Sequence, residues 1–224
     1  MGNVTSDEFV TIPAGRFLMG ARDDEPAQDD ERPRHWVEVD AFEMAVYPVT
    51  ENDIGCRFPE IGKTTPDVVF AAMPATGVSW EDAVDYCRRR GDVRLPTEAE
   101  WEWAARGGLE GALYPWGDGI PDWLPNGGKG PLDGPWPVTL GEPNGFGLMG
   151  IGANIHEWCA DWHGASYYTE SPLRNPQGPA TGVRRASRGG AWRHAFTFSR
   201  CAQRSKLGPT LRYTDYGFRV VKIR

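Results

Sequence analysis

No run of apolar residues in this sequence approaches the roughly 20 that carry a helix across a bilayer. The acidic, polar start lacks the charged-then-apolar pattern of a secretory signal. A membrane partner is therefore not expected, and the cytoplasm is the expected compartment. Positive charge is short as well: 24 Lys and Arg face 31 Asp and Glu, a formal net charge of −7. Nucleic-acid binding normally needs a basic face, so that class of partner is set aside. Cysteine is sparse. Cys56, Cys87, Cys159 and Cys201 show no CxxC spacing, which argues against a zinc ribbon or a thioredoxin-like pair. Without an export signal the thiols are read as reduced. No repeat, linker or low-complexity tract divides the chain. It reads as one domain over 9–224, preceded by a disordered or extended segment 1–8.

What is present is glycine, proline and tryptophan: 28, 19 and 10 in 224 residues. That balance points to much irregular backbone anchored by large aromatic side chains. A chain of this length buries roughly 70–75% of its unfolded surface and needs no metal or disulfide merely to stay folded. "FVTIPAGRFLMG" reads as a strand, a turn and a strand, and "HWVEVDAFEMAVYPVT" as extended chain. Thr50 is placed to cap a short helix. "SWEDAVDYCRRRG" and "RLPTEAEWEWAARGG" are helices with capping boxes at Ser79/Asp82 and Thr97/Glu100, stopped by Gly91 and Gly107. Past Gly108 the helical period is lost in a loop region too long to be mere connection. "YGFRVVKIR" reads as a terminal strand. The acidic run "RDDEPAQDDERPR" is expected to be a solvated loop.

In order along the chain stand "FLMG", "VYPVT", "TGVSWEDAVDYC", "RLPTEAEWEWAARGG", "YPWGD", "PNGFGL", "NIHEWCADW", "SRGGAW" and "YGFRV". This series resembles the formylglycine-generating enzymes, the sulfatase-modifying-factor family, over nearly the whole length. The resemblance implies an irregular α+β fold related to the C-type lectins, with two helices, short twisted strands and long calcium-stabilised loops. It also implies where this chain departs from the family. The copper of those enzymes is held by two cysteines just after an "RGGS" segment, because soft thiolates suit Cu(I). Here that segment reads "RGGAWRHAFTFSRCAQRS". Ala191 replaces the serine, and Cys201 falls at a structural cysteine rather than a copper ligand. A copper-dependent formylglycine-generating oxidase is therefore not expected. The secretory relatives' disulfides are missing as well: the partner positions of Cys87 and Cys201 are Val220 and Ala105. Both thiols are read as small buried hydrophobes.

The resemblance further implies two calcium sites. The first maps onto Asn126, the Gly127 carbonyl, Asp133 and the Pro135 carbonyl, oxygen donors of the kind a hard cation requires. The second retains Asn154, the Ile155 carbonyl and Glu157, but Gly150 replaces a side-chain ligand and Ala153 a glycine, which weakens it.

With the thiolates gone, the candidate catalytic residues are His156 and His194. His156 occupies a position near the family's groove, and His194 lies close to the first lost copper cysteine. Two imidazoles in one groove can bind a borderline transition metal or act as acid and base near neutral pH; His163 is a possible third. If "WRHAFTF" is instead a strand, His194 shares a face with Trp192, Phe196 and Phe198 as a core residue. His35 is expected at the surface. Candidate substrate contacts are Trp158, Trp192, Arg193 and Phe196, aromatic and guanidinium groups suited to a peptide or small anionic molecule. Arg188 and Arg219 are read as internal braces toward Glu100 or Glu102. The HxxxH of the sulfoxide synthases that share this domain is absent. Two functions follow: an oxidase or modifying enzyme, hence an oxidoreductase, or a non-catalytic C-type-lectin-like module that binds a ligand or protein.

Overall fold

Each helix starts where the chain caps itself. In this computed structural model, which describes residues 6–57 and 72–223, the Thr50 hydroxyl accepts the Asp53 amide at 3.1 Å and opens α1 (Glu51–Arg57). Ser79 and Asp82 form a reciprocal box at the start of α2 (Trp80–Arg90), and Thr97 and Glu100 do the same for α3 (Glu98–Arg106). Gly91 and Gly107 close α2 and α3 in the left-handed conformation, which costs glycine nothing. These boundaries match the sequence expectation because capping is decided within four residues.

The strands are short and distributed over three sheets. β1 (Phe9–Ile12), β4 (Phe42–Ala45), β10 (Val221–Lys222) and β5 (Val93–Arg94) form one, in the order β1-β4-β10-β5. β2 (Gly15–Met19) pairs with β3 (His35–Val39). The third runs β8-β7-β6-β9, from Arg204–Leu207, Arg185–Arg188, His156–Trp162 and Tyr216–Gly217. The expected terminal strand is thus two pieces in two sheets: β9 lies parallel to β6, and β10 lies beside β4 and β5. "WRHAFTF" is not a strand. It is a turn followed by a 3-10 helix over Phe196–Ser199.

α3 lies between β2–β3 and β6–β7 and buries Trp101 completely. A second core gathers Tyr86, Trp158 and Phe218 beside α2. Burial of a side chain such as Phe218 is worth about 1.5–3 kcal/mol. Cys87 shares that core with Val220, and Cys201 shares the first with Ala105. At the two pairs of positions that the family resemblance would bridge, a buried thiol and an apolar residue stand in the same core. A third, smaller cluster of Leu124, Trp136 and Ala153 holds the loop region and forms the floor under His194.

The acidic run departs from expectation. Glu25, Asp30 and Glu31 are buried, because the closing segment brings cations to meet them. Arg200 pairs with Glu25 and Glu31, and His163 and Lys206 pair with Asp30. Ser6 is buried too, its amide donating to Asp53 at 3.1 Å. The first five residues of the expected N-terminal segment and the Cys56 side chain lie outside the described residues. No helix among those described is long and apolar enough to cross a membrane.

Candidate active site at the His156–His194 pair

His156 opens β6 and is buried, with its main-chain amide donating to the Asp215 carbonyl at 2.9 Å. Its Nδ1 lies 2.6 Å from the Gly189 carbonyl oxygen. A carbonyl can only accept, so Nδ1 carries the proton and Nε2 keeps the ring's lone pair. Gly189 reaches this position with φ +82°, and a side chain there would press on Gly152 and the Trp101 ring. Burial, and then the nearness of His194, push the His156 pKa down to about 4, partly offset by Asp215 and the Gly189 carbonyl. The imidazole is neutral at pH 7.

His194 approaches from the opposite loop. Its amide closes a turn onto the Ala191 carbonyl at 2.8 Å, and its own carbonyl packs on Gly130, where a Cβ would fall only 2.1 Å away. The two imidazole rings are 5.3 Å apart between centroids. The His194 side chain is 38% exposed, so the pair opens to solvent on that side. A third group, invisible to the sequence reading, completes the cluster. Asp215 is 4% exposed and places Oδ2 3.8 Å from His194 Nε2. One donor atom from each of His156, His194 and Asp215 lies within 4.8 Å of the others. No short motif announced Asp215, because it meets His156 only through the long-range parallel pairing of β6 and β9.

The other expected site residues divide. Trp192 and Phe196 flank the cleft beside His194, whereas Arg193 is exposed and does not line it, its guanidinium 5.7 Å from the Trp192 ring centroid. The enclosed part of this cleft is small, about 20 Å³. Two roomier hollows of about 230 and 250 Å³ lie elsewhere, and neither is lined by a histidine or cysteine. Trp158 does not reach the cleft. It is fully buried, and its indole N–H donates to the Val78 carbonyl at 2.9 Å, so a substrate contact is excluded. His163 does not join the pair, since its Nε2 is spent on Asp30 at 2.9 Å. His35 is half-buried, its ring 4.7 Å from that of Tyr168.

The two expected calcium sets also part. Asn126 takes a left-handed φ of 53°, its amide N–H binding the Lys129 carbonyl at 2.7 Å, which leaves Oδ1 free to accept a cation. Asp133 on the same loop is exposed. Donor chemistry of this kind suits a hard ion. The second set does not fit one. The Asn154 side chain is consumed by the Trp136 backbone, at 3.1 Å to N and 2.6 Å to O. Both Glu157 oxygens are taken by Arg219 and by the Trp101 indole at 2.8 Å. Glu157 is a buried counter-charge rather than a calcium ligand.

The braces follow from the same accounting. Arg188 is fully buried and binds Glu98, Glu102 and the Cys201 carbonyl, whereas Arg219 binds Glu157 and the Ala45, Val46 and Met149 carbonyls. Glu100, the other expected partner, is held instead by Arg94.

Residues 2–224 match the family model described as the sulfatase-modifying factor enzyme 1-like domain. The chain belongs to this family. Over 252 residues it is 44% identical to a formylglycine-generating enzyme of Thermomonospora curvata, covering 82% of each chain. It is 34% identical over 241 residues to the serine/threonine-protein kinase pkn1 of Chlamydia caviae, where it covers 96% of this chain but spans only 38% of the kinase's length. Among solved structures, PvdO of Pseudomonas aeruginosa superposes with a TM-score of 0.79 at 26% identity, covering 96% of this chain and 94% of PvdO. The architecture of this family member is the irregular α+β, C-type-lectin-like fold of the formylglycine-generating enzymes. Its three described free cysteines, Cys87, Cys159 and Cys201, are buried. None stands in the His156–His194 cluster.

Proposed function

We propose that this chain is a modifying enzyme of the formylglycine-generating type that acts on a peptide or small molecule beside His156 and His194, without copper–thiolate chemistry. The approach of the two rings to 5.3 Å, with His156 buried and His194 half-exposed beside the cleft, carries this reading. Each ring has a distinct part. His156, neutral and held by the Gly189 carbonyl, is a fixed lone-pair donor. His194, half-exposed, faces whatever enters the cleft. Trp192 and Phe196 supply apolar contact, and Arg193, exposed beside Trp192, suits a carboxylate on the ligand. The Asn126–Pro135 loop is proposed to hold a calcium ion, through Asn126 Oδ1, Asp133 and the Gly127 and Pro135 carbonyls. The two unbridged buried thiols, Cys87 and Cys201, support a reducing compartment such as the cytoplasm.

The smallness of the enclosed cleft, about 20 Å³, favours a second reading: a binding module that kept the fold and lost the chemistry. One comparison separates the two. Extract of the native host is incubated with the wild-type protein and with His194→Ala, and peptides and small molecules are compared by mass. A mass change made by the wild type and not by the variant supports the enzyme. A component retained by both proteins and altered by neither leaves the binding module.

A further inference from the structure

We propose that His156, His194 and Asp215 together form a binding site for one divalent first-row transition metal ion, with Asp215 as the carboxylate ligand. This deepens the proposed function and rests on its placing of the reactive centre at the histidine pair.

Several independent features lead to it. Asp215 Oδ1 is buried and has no hydrogen-bond partner, with its nearest cation, Arg193 Nη1, at 3.7 Å. A buried carboxylate with an oxygen left without a donor is costly, and a cation bound through Oδ2, which faces His194 Nε2 at 3.8 Å, would offset that cost. His156 already has the hydrogen bond that metal-bound histidines characteristically make through their second nitrogen: Nδ1–H to a backbone carbonyl, with Nε2 left as the ligand atom. His156 and Asp215 are locked together by the β6–β9 ladder, whose His156 amide binds the Asp215 carbonyl at 2.9 Å. His156 is thus fixed in a strand and Asp215, in the turn just before β9, is tied to it through the backbone, while the third, His194, sits on a loop at the solvent edge.

The spacing suits a site that closes on its ion. Ligands about 2.0–2.2 Å from one metal lie about 3–3.5 Å from each other. The donors here lie within 4.8 Å of one another, and His194, on its loop, is the ligand able to close the remaining gap. Two imidazoles and one carboxylate match borderline ions such as Zn(II), Fe(II) or Co(II). They do not match calcium, which requires six or more oxygens, or the thiolate-loving Cu(I). Three protein ligands leave coordination positions open, and half-exposed His194, which alone of the three also lines the cleft with Trp192 and Phe196, marks the side from which a substrate would reach the ion.

The test uses the full chain stripped with a chelator, then titrated with Zn(II) by calorimetry and with Co(II) followed by its absorption spectrum. The expected result is one ion per chain, with the Co(II) bands of a low-coordinate nitrogen–oxygen site. Asp215→Asn and His194→Ala should each weaken binding by about 100-fold or more. His194 is partly exposed and on a loop, so its variant keeps the test open if Asp215→Asn fails to fold. No stoichiometric binding overturns the proposal. So does binding lost in His194→Ala but kept in a folded Asp215→Asn, which would be a two-histidine site without the carboxylate. A substrate modified equally well by the stripped protein would overturn the metal site and leave the enzyme reading standing. Tight metal binding with no His194-dependent modification of any extract component would do the reverse.

Discussion

Arg200 reaches from the closing segment to Glu31 in the acidic run, with Nη1 2.7 Å from Oε2 and Nη2 3.1 Å from Oε1, both side chains buried. The same guanidinium meets Glu25 at 3.3 Å and Gln203 at 2.7 Å. This pair ties the second half of the chain to a loop whose composition alone suggested solvent. Removing one partner of such a buried pair strands the other charge, at a cost of about 3–5 kcal/mol. Arg200→Met should lose that much in a denaturant titration, and the double variant Arg200→Met, Glu31→Met should recover part of it. A single-variant cost below about 1 kcal/mol would class the contact with exposed pairs.

Asp30 carries the pH dependence of the same region. Burial alone would raise its pKa, but hydrogen bonds from His163 and Lys206 overcome this and hold it well below the usual carboxylate range. A folded-state pKa depressed in this way adds stability above the unfolded value of about 3.9 and loses it as the pH falls further. Asp30→Asn should therefore be less stable than the wild type near neutrality, with the gap closing below about pH 4. Denaturation midpoints of both proteins across that range check it, and a gap independent of pH would contradict the ion pair.

Calcium is tested at the Asn126–Pro135 loop. A ligand that binds only the native state stabilises it by about 2.7 kcal/mol at a hundredfold excess over its dissociation constant. Chelation should lower the melting temperature, and Asp133→Ala should abolish most of that response. Glu157→Gln should be destabilising with or without chelator, because its carboxylate serves Arg219 and Trp101. A melting curve indifferent to chelation would remove the ion from this loop.

The thiols provide a check on burial and on the proposed absence of copper chemistry together. Burial pushes Cys87 and Cys201 up to about 12, far from the thiolate that attacks electrophiles or binds soft metals. Neither should be alkylated in the native protein at neutral pH, and both should react once it is unfolded. With copper and reductant supplied, a sulfatase-type CxPxR peptide should gain no aldehyde. Mass spectrometry reads both outcomes, and either native labelling of Cys201 or aldehyde formation above a no-protein control would count against the assignment.

The helices, their caps and the family were legible in the sequence, because each depends on residues close together in the chain. Ser79 with Asp82 and Thr97 with Glu100 are decided within a single turn. The ordered motifs carried the fold, and the spacing after Gly190 brought His194 into consideration. What the sequence could not show was which charges would meet. Arg200 with Glu31, Glu157 with Arg219, and Asp215 with His156 and His194 are juxtapositions made by strand pairing and loop docking between distant segments. A charged or aromatic residue has the same local signature whether it ends in solvent, in an ion pair or in a site. Trp158 looked like a groove residue and became core, while the acidic run looked like surface and became the counter-charge to the closing segment. Tertiary structure alone decides such cases, because the energy of a charge or an indole is set by what is packed against it.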